Sequence, residues 1–246
     1  LHLRGLHYAL VGRVNKPDGT PYENNDETWL WLSEKVAKAA RWLGYLPWTA
    51  LRDARNAEPQ IFTPEIEAPG WGLEIGRVDV RLPATLEPRL LINGDLAPQP
   101  WRQVVIAEKQ GVEDLLLPVC QRYQATLALP SGEVSDQMLY DLLAANDGRP
   151  IAFHQLGDAD PAGWQMAVST ARKLQALRDL WFPDLRIAVC APALTPSQAE
   201  EWDLPETPLK ATESRADRWQ LAMGRAQTEL DAAVALVPKQ FARVVK

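Results

Sequence analysis

The chain has 246 residues, 46% of them hydrophobic and 24% charged, with a formal net charge of −6. That size and balance suit one large globular domain or two modest ones, and no uninterrupted apolar stretch of about 18 residues is present, so no membrane span is expected. The negative charge argues against avid, non-specific binding to DNA, although a basic groove can sit on an acidic body.

The start, Leu1-His2-Leu3-Arg4-Gly5, lacks a charged head followed by a long apolar run, so it does not read as a signal peptide. It also lacks an initiating Met, which fits a processed product or a fragment. Cys120 and Cys190, the only cysteines, sit in apolar patterns and read as buried, reduced thiols of a cytoplasmic protein. Together with His2, His7 and His154 they offer no zinc spacing.

Residues 1–58 read as a mostly helical unit. Leu3, Leu6, Leu10 and Val11 recur at helical spacing. A second helix is predicted from Asp26 as N-cap through Trp29, Leu32, Val36, Ala40 and Leu43 to a stop at Gly44. Residues 59–100 are broken by repeated prolines, with alternation over Gly76–Leu82 that suggests short strands; the domain boundary falls in this connector.

From residue 101 to 246 strand and helix alternate. Val104–Ala107 is a buried strand, followed by a helix with the stripe Val112, Leu115, Leu116, Val119, Cys120 and Tyr123. Ala125–Leu129 is the next strand, and Ser135 caps a helix carrying Met138, Leu139, Leu142 and Leu143. Pro150–Leu156 is a third strand, after which Asp160-Pro161 opens a long helix with Trp164, Ala167, Ala171, Leu174 and Leu177 inward. Leu185–Cys190 is a fourth strand, and Thr195-Pro196-Ser197-Gln198 has the form of a capping box with Pro at the first helical position. The fold class expected is α/β, a mostly parallel four-stranded sheet covered on both faces.

Ligand sites in such sheets form at the carboxyl ends of strands. Glu108 follows the first strand, and Asp158 and Asp160 follow the third. They converge if those two strands are neighbours. Three hard oxygen donors suit Mg²⁺, which keeps several waters and binds phosphate oxygens. Gly157 and Gly163 let backbone approach a phosphate closely, and the helix opened by Pro161 offers unpaired N–H groups to an anion. Taken singly, an Asp-x-Asp after a strand is more often a helix cap in a solvated turn.

Ala107-Glu108-Lys109-Gln110-Gly111 and Leu156-Gly157-Asp158-Ala159-Asp160-Pro161-Ala162-Gly163 together resemble the two signatures of the Toprim domain. The form is that of the A subunit of topoisomerase VI, the type IIB topoisomerases, and of the meiotic double-strand-break transesterases. Leu3-Arg4-Gly5-Leu6-His7-Tyr8 is similar to the Arg-x-x-Tyr/Phe-Tyr stretch of that family's winged-helix domain. Ala39–Trp48, Asp53-Ala54-Arg55, Leu204–Lys210 and Glu229-Leu230-Asp231 look like its uncharacterised bacterial and phage relatives. The resemblance covers most of the chain and is weakest over residues 56–100.

The resemblance implies a winged-helix-like domain followed by a Toprim domain, with Mg²⁺ bound by Glu108, Asp158 and Asp160. It implies Tyr8 as a nucleophile that forms a phosphotyrosine link to DNA, with Arg4 neutralising phosphate. It also implies a homodimer, because the family sets the tyrosine of one subunit against the metal site of another, and a bacterial cytoplasmic or nucleoid location. Arg52, Arg55, Lys109, Lys210 and Arg215 are further candidates for phosphate contact. His7 and Gly5 depart from the pattern before Tyr8, and a tyrosine at helical spacing with Leu3, Leu6 and Val11 also reads as a core residue. His154 reads as a satisfied core histidine, and the tryptophans as core and interface packing.

Three functions therefore stand open. The first is Mg²⁺-dependent DNA binding and strand cleavage by tyrosyl transesterification; with no phosphate-loop signature in the chain, strand passage would need a separate ATPase subunit. The second is a Toprim nuclease that hydrolyses the phosphodiester without a covalent intermediate. The third is a non-catalytic DNA-binding or scaffold protein.

Overall fold

The computed structural model describes residues 2–51, 59–62, 99–209 and 213–244, with only the backbone of Gln110. The alternation toward Gly76–Leu82 lies outside the described residues, as do Arg52, Arg55 and Lys210.

Four strands form one sheet in the order β2-β1-β3-β4, and every pairing is parallel. They are β1 (Arg102–Ala107), β2 (Thr126–Ala128), β3 (Ile151–Leu156) and β4 (Ile187–Ala193). Successive side chains leave a strand on opposite faces, so β1 feeds two cores. Val104 and Ile106 pack with Leu139, Leu142, Phe153, Leu174 and Leu177, the side covered by α5 (Asp136–Ala144) and α6 (Pro161–Trp181). Val105 and Ala107 pack with Leu116, Cys120, Leu230 and Phe241, the side covered by α4 (Glu113–Tyr123), α9 (Leu230–Leu236) and α10 (Pro238–Val244). Truncating a fully buried member such as Leu116 or Leu174 to Ala costs about 2–5 kcal/mol.

The caps follow local chemistry. Ser135 accepts from the Met138 N–H at the start of α5, and Thr195 with Gln198 closes a capping box at α7 (Pro196–Glu201). The helix expected to be capped by Asp26 is instead capped by Asn25, whose Oδ1 accepts from the Thr28 N–H at 2.8 Å, while Asp26 is the first helical residue. A carboxylate there still favours the positive helix end. That helix runs as α2 (Asp26–Leu30), a π-helical stretch (Trp31–Val36) and α3 (Ala37–Trp42). Trp164, expected inward on α6, is 54% exposed; Thr170 takes a buried position and hydrogen-bonds Gln155 Oε1 at 3.1 Å.

The N-terminal helices join the α/β unit through aromatic rings. Trp42 Nε1 donates to Asp136 Oδ2 at 2.8 Å. Trp48 stacks on Tyr140 with centroids 4.9 Å apart and meets Trp181 edge-on at 5.6 Å. Aromatic pairs of this kind add about 0.5–1.5 kcal/mol beyond the area they bury.

Candidate functional site, an acidic loop at the sheet's carboxyl edge

β1 and β3 are hydrogen-bonded neighbours with Ala107 opposite Leu156. The next residues along the two strands are Glu108 and Gly157, so the first acid stands beside the loop that carries the other two. The convergence that the sequence made conditional on strand order has its topological basis.

Backbone bonds hold the loop on both sides. The Gly157 N–H donates to Ala193 O at 3.1 Å and the Leu194 N–H to Gly157 O at 2.9 Å, prolonging the β3–β4 pairing. Ala159 and Thr228 then exchange N–H bonds at 2.9 and 3.2 Å, tying the loop to the segment before α9. Gly163 must be glycine for this packing, because a Cβ there would stand 2.3 Å from Asp158 O. Asp160 caps α6, its Oδ1 accepting from the Gly163 N–H at 2.6 Å.

Asp158 faces donors with both oxygens. Oδ1 accepts from the Leu230 N–H at 2.8 Å, and Oδ2 lies 3.2 Å from Lys109 Nζ. The same ammonium reaches Glu229 at 3.2 Å and Asp231 at 3.4 Å, so one cation is shared among three carboxylates. Burial pushes the Asp158 carboxyl up, opposed by the Leu230 N–H and by Lys109. Burial also works against the charge on Lys109, but Asp158, Glu229 and Asp231 outweigh it and raise the ammonium. The directions pull oppositely on one ion pair, and the geometry decides for the ionised form, since a protonated Asp158 would waste an acceptor facing a donor.

Glu108 is half-buried at the end of β1. Its donor chemistry, with that of Asp158 and Asp160, fits a hard divalent cation. The three side chains are not drawn together, and among the described residues no group of three acidic, histidine or cysteine side chains is arranged to hold a metal ion. Lys109 supplies positive charge beside Asp158.

Arg215 is exposed and forked onto Glu213, with Nε at 2.7 Å from Oε1, and the Asp160 charge adds a smaller contribution that favours its charged form. Trp219 of α8 (Ala216–Met223) packs against Trp164 at 6.4 Å, which brings α8 to the start of α6. Tyr8 and Arg4 lie on α1 (Leu3–Leu10), where Tyr8 is 55% exposed and meets the Arg4 guanidinium 5.9 Å from its ring centroid. The buried residue on that turn is His7, whose Nδ1 pairs with Tyr22 Oη at 2.9 Å and whose Nε2 pairs with Asn24 Oδ1 at 3.2 Å. Arg4 lies nearer the Trp29 ring, at 4.5 Å, and lines a cavity of about 720 Å³ between the N-terminal helices and α5.

Residue-by-residue reading of the acids missed Glu229, Asp231 and the Leu230 N–H as parts of this site. The available signal was the same acid-x-acid spacing as in Asp158-Ala159-Asp160, here overlapping the first turn of a helix. Compared with models of protein families and with curated proteins, the chain matches none.

Proposed function

We propose that the chain is a Mg²⁺-dependent, DNA-cleaving protein of the Toprim type, similar to the A subunit of topoisomerase VI, with residues 1–58 serving as its winged-helix-like DNA-binding part. The observation that supports this best is the pairing of β1 with β3, which brings Glu108 and the loop that carries Asp158 and Asp160 to the same carboxyl edge of a parallel sheet. Glu108, Asp158 and Asp160 would hold the ion, with Asp158 sharing its charge with Lys109, and Mg²⁺ there would supply positive charge to a phosphodiester.

The chain's own groups do the rest. Lys109 and Arg215 offer positive charge to phosphate at the acidic loop, which otherwise repels it. Arg4, over the Tyr8 ring, favours a phosphate near that hydroxyl. In the transesterase reading the Tyr8 oxygen of one subunit attacks phosphorus at the partner's acidic loop. A phosphotyrosine bond forms, the phosphorus–sugar oxygen bond breaks, and the tyrosyl proton is balanced by one taken up by the departing sugar hydroxyl. A homodimer follows from that arrangement, and a separate ATPase subunit would be needed for strand passage.

A hydrolytic Toprim nuclease is the second reading. It is favoured by the position of Tyr8, whose ring contacts are with His7 and Arg4 of its own helix. Incubation with supercoiled DNA and Mg²⁺, stopped with detergent and run with and without protease, separates the two. Protein on DNA ends that is lost in Tyr8→Phe supports transesterification. Free ends that survive Tyr8→Phe but vanish in Asp160→Asn support hydrolysis. Binding without cleavage leaves a non-catalytic DNA-binding role.

A further inference from the structure

A second cluster of reactive side chains lies on the other part of the sheet, independent of the acidic loop. His154 and Cys190 are opposite one another across β3 and β4, so both side chains stand on the same face. Cys190 Sγ lies 3.1 Å from His154 Nδ1, and His154 Nε2 lies 2.7 Å from Gln103 Oε1. The amide of Gln103 is oriented by its Nε2, which donates to Trp101 O at 3.2 Å and leaves the oxygen toward the imidazole.

That orientation settles the proton. An amide oxygen only accepts, so His154 Nε2 carries the hydrogen and Nδ1 turns a lone pair to the thiol. Phe153 O is a second acceptor for the thiol at the longer distance of 3.6 Å. Burial pushes the Cys190 thiol up and the His154 imidazole down, so the pair rests uncharged with S–H donating to nitrogen. A thiol, a base and a group that fixes the base's tautomer are the parts of an activated nucleophile.

Access separates the two cysteines. Cys190 is exposed on the edge strand, against the sequence reading of two buried thiols, whereas Cys120 is fully buried in the core. His154 and Gln103 also line a cavity of about 280 Å³ whose wall includes Cys120, Tyr123, Leu156 and Pro192, and Cys190 adjoins it through the His154 ring. A cavity near the lower end of ligand-pocket sizes takes a small, largely apolar group.

We propose that Cys190, His154 and Gln103 form a thiol-exchange site that accepts small organic disulfides. The Cys190 proton passes to His154 Nδ1 as the sulfur attacks one sulfur of the disulfide. The disulfide bond breaks, a mixed disulfide forms on Cys190, and the departing thiolate takes the proton from Nδ1. The added disulfide is the oxidant, half of it leaving as thiol. Gln103 is the positioning residue, acting through the imidazole.

The test is the stopped-flow reaction of the folded chain with 2,2′-dithiodipyridine at neutral pH. One thiol reacts in the fast phase, peptide mass places the adduct on Cys190, and Cys190→Ser removes the phase. His154→Gln slows it by at least about tenfold, and Gln103→Met slows it less. A solvent deuterium effect on the wild-type rate disappears in both variants. A fast adduct on Cys120, or a rate within twofold of wild type in folded His154→Gln, overturns the proposal. Should His154→Gln not fold, Gln103→Met decides alone, and an unchanged rate and isotope effect there overturn it equally.

Discussion

Lys109 Nζ stands 3.2 Å from Asp158 Oδ2, and through that contact the end of β1, the loop after β3 and the start of α9 share one charge. Lys109→Met keeps most of the stem's packing and removes only the ammonium. Asp158, Glu229 and Asp231 then repel one another, and because Glu229 and Asp231 are about half exposed the cost falls below that of a fully buried pair, at about 1–3 kcal/mol. Urea denaturation measures it. Millimolar Mg²⁺ should recover part of the loss in this variant; recovery by Na⁺ at equal ionic strength would instead mark plain screening.

Asp158→Asn separates stability from chemistry. Burial penalises the Asp158 charge, and the asparagine oxygen can still accept from the Leu230 N–H. A carboxyl raised in the folded state contributes stability below its unfolded value of 3.8 and loses it as pH rises through the folded one. At neutral pH the amide escapes the burial penalty but turns its NH2 toward the Lys109 ammonium, so the melting temperature falls slightly, while the proposed Mg²⁺-dependent cleavage is lost. A melting temperature unchanged or raised at pH 7 would show that burial outweighs the Lys109 pair.

Two glycines of the same loop should differ sharply. Gly163→Ala drives a Cβ to 2.3 Å from Asp158 O, backbone against backbone, and costs about 3 kcal/mol or more despite the better helix propensity of Ala. Gly157→Ala meets nothing nearer than Gly163 Cα at 3.5 Å and costs less than about 1 kcal/mol. Thermal melts of the pair check the order.

Glu133 gives a pH signature away from the site. Burial raises its carboxyl, but hydrogen bonds from Ser169 and Lys173 and the charge of Lys173 outweigh burial and lower it. The sign is that of a depressed acid: its stabilisation is complete above the unfolded value of 4.5 and is lost as pH falls through the folded one. The melting-temperature gap between wild type and Glu133→Gln should close from pH 7 toward pH 3.

The strands and most helices were legible because their signals are local. The continuous buried run on β1, the cap at Ser135 and the capping box at Thr195 each depend on a few neighbouring residues. What escaped depends on distant partners. Cys190 looks like a core residue by its apolar neighbours, yet β4 closes the sheet and leaves it open to solvent. Glu229 and Asp231 join the site only through Lys109, 120 residues away in sequence from Glu229, whose ammonium reaches both. That β1 and β3 are neighbours was likewise an assumption, since no local pattern sets which parallel strands touch.

The His7 imidazole, held at both nitrogens by Tyr22 and Asn24, sets the angular phase of α1 about its own axis. Consecutive helical residues are about 100° apart, so with His7 turned inward the Tyr8 hydroxyl is swung toward solvent and its compass bearing is held. His7→Leu would keep the helix and let that bearing wander, so the proposed nucleophile would present its hydroxyl with no single direction.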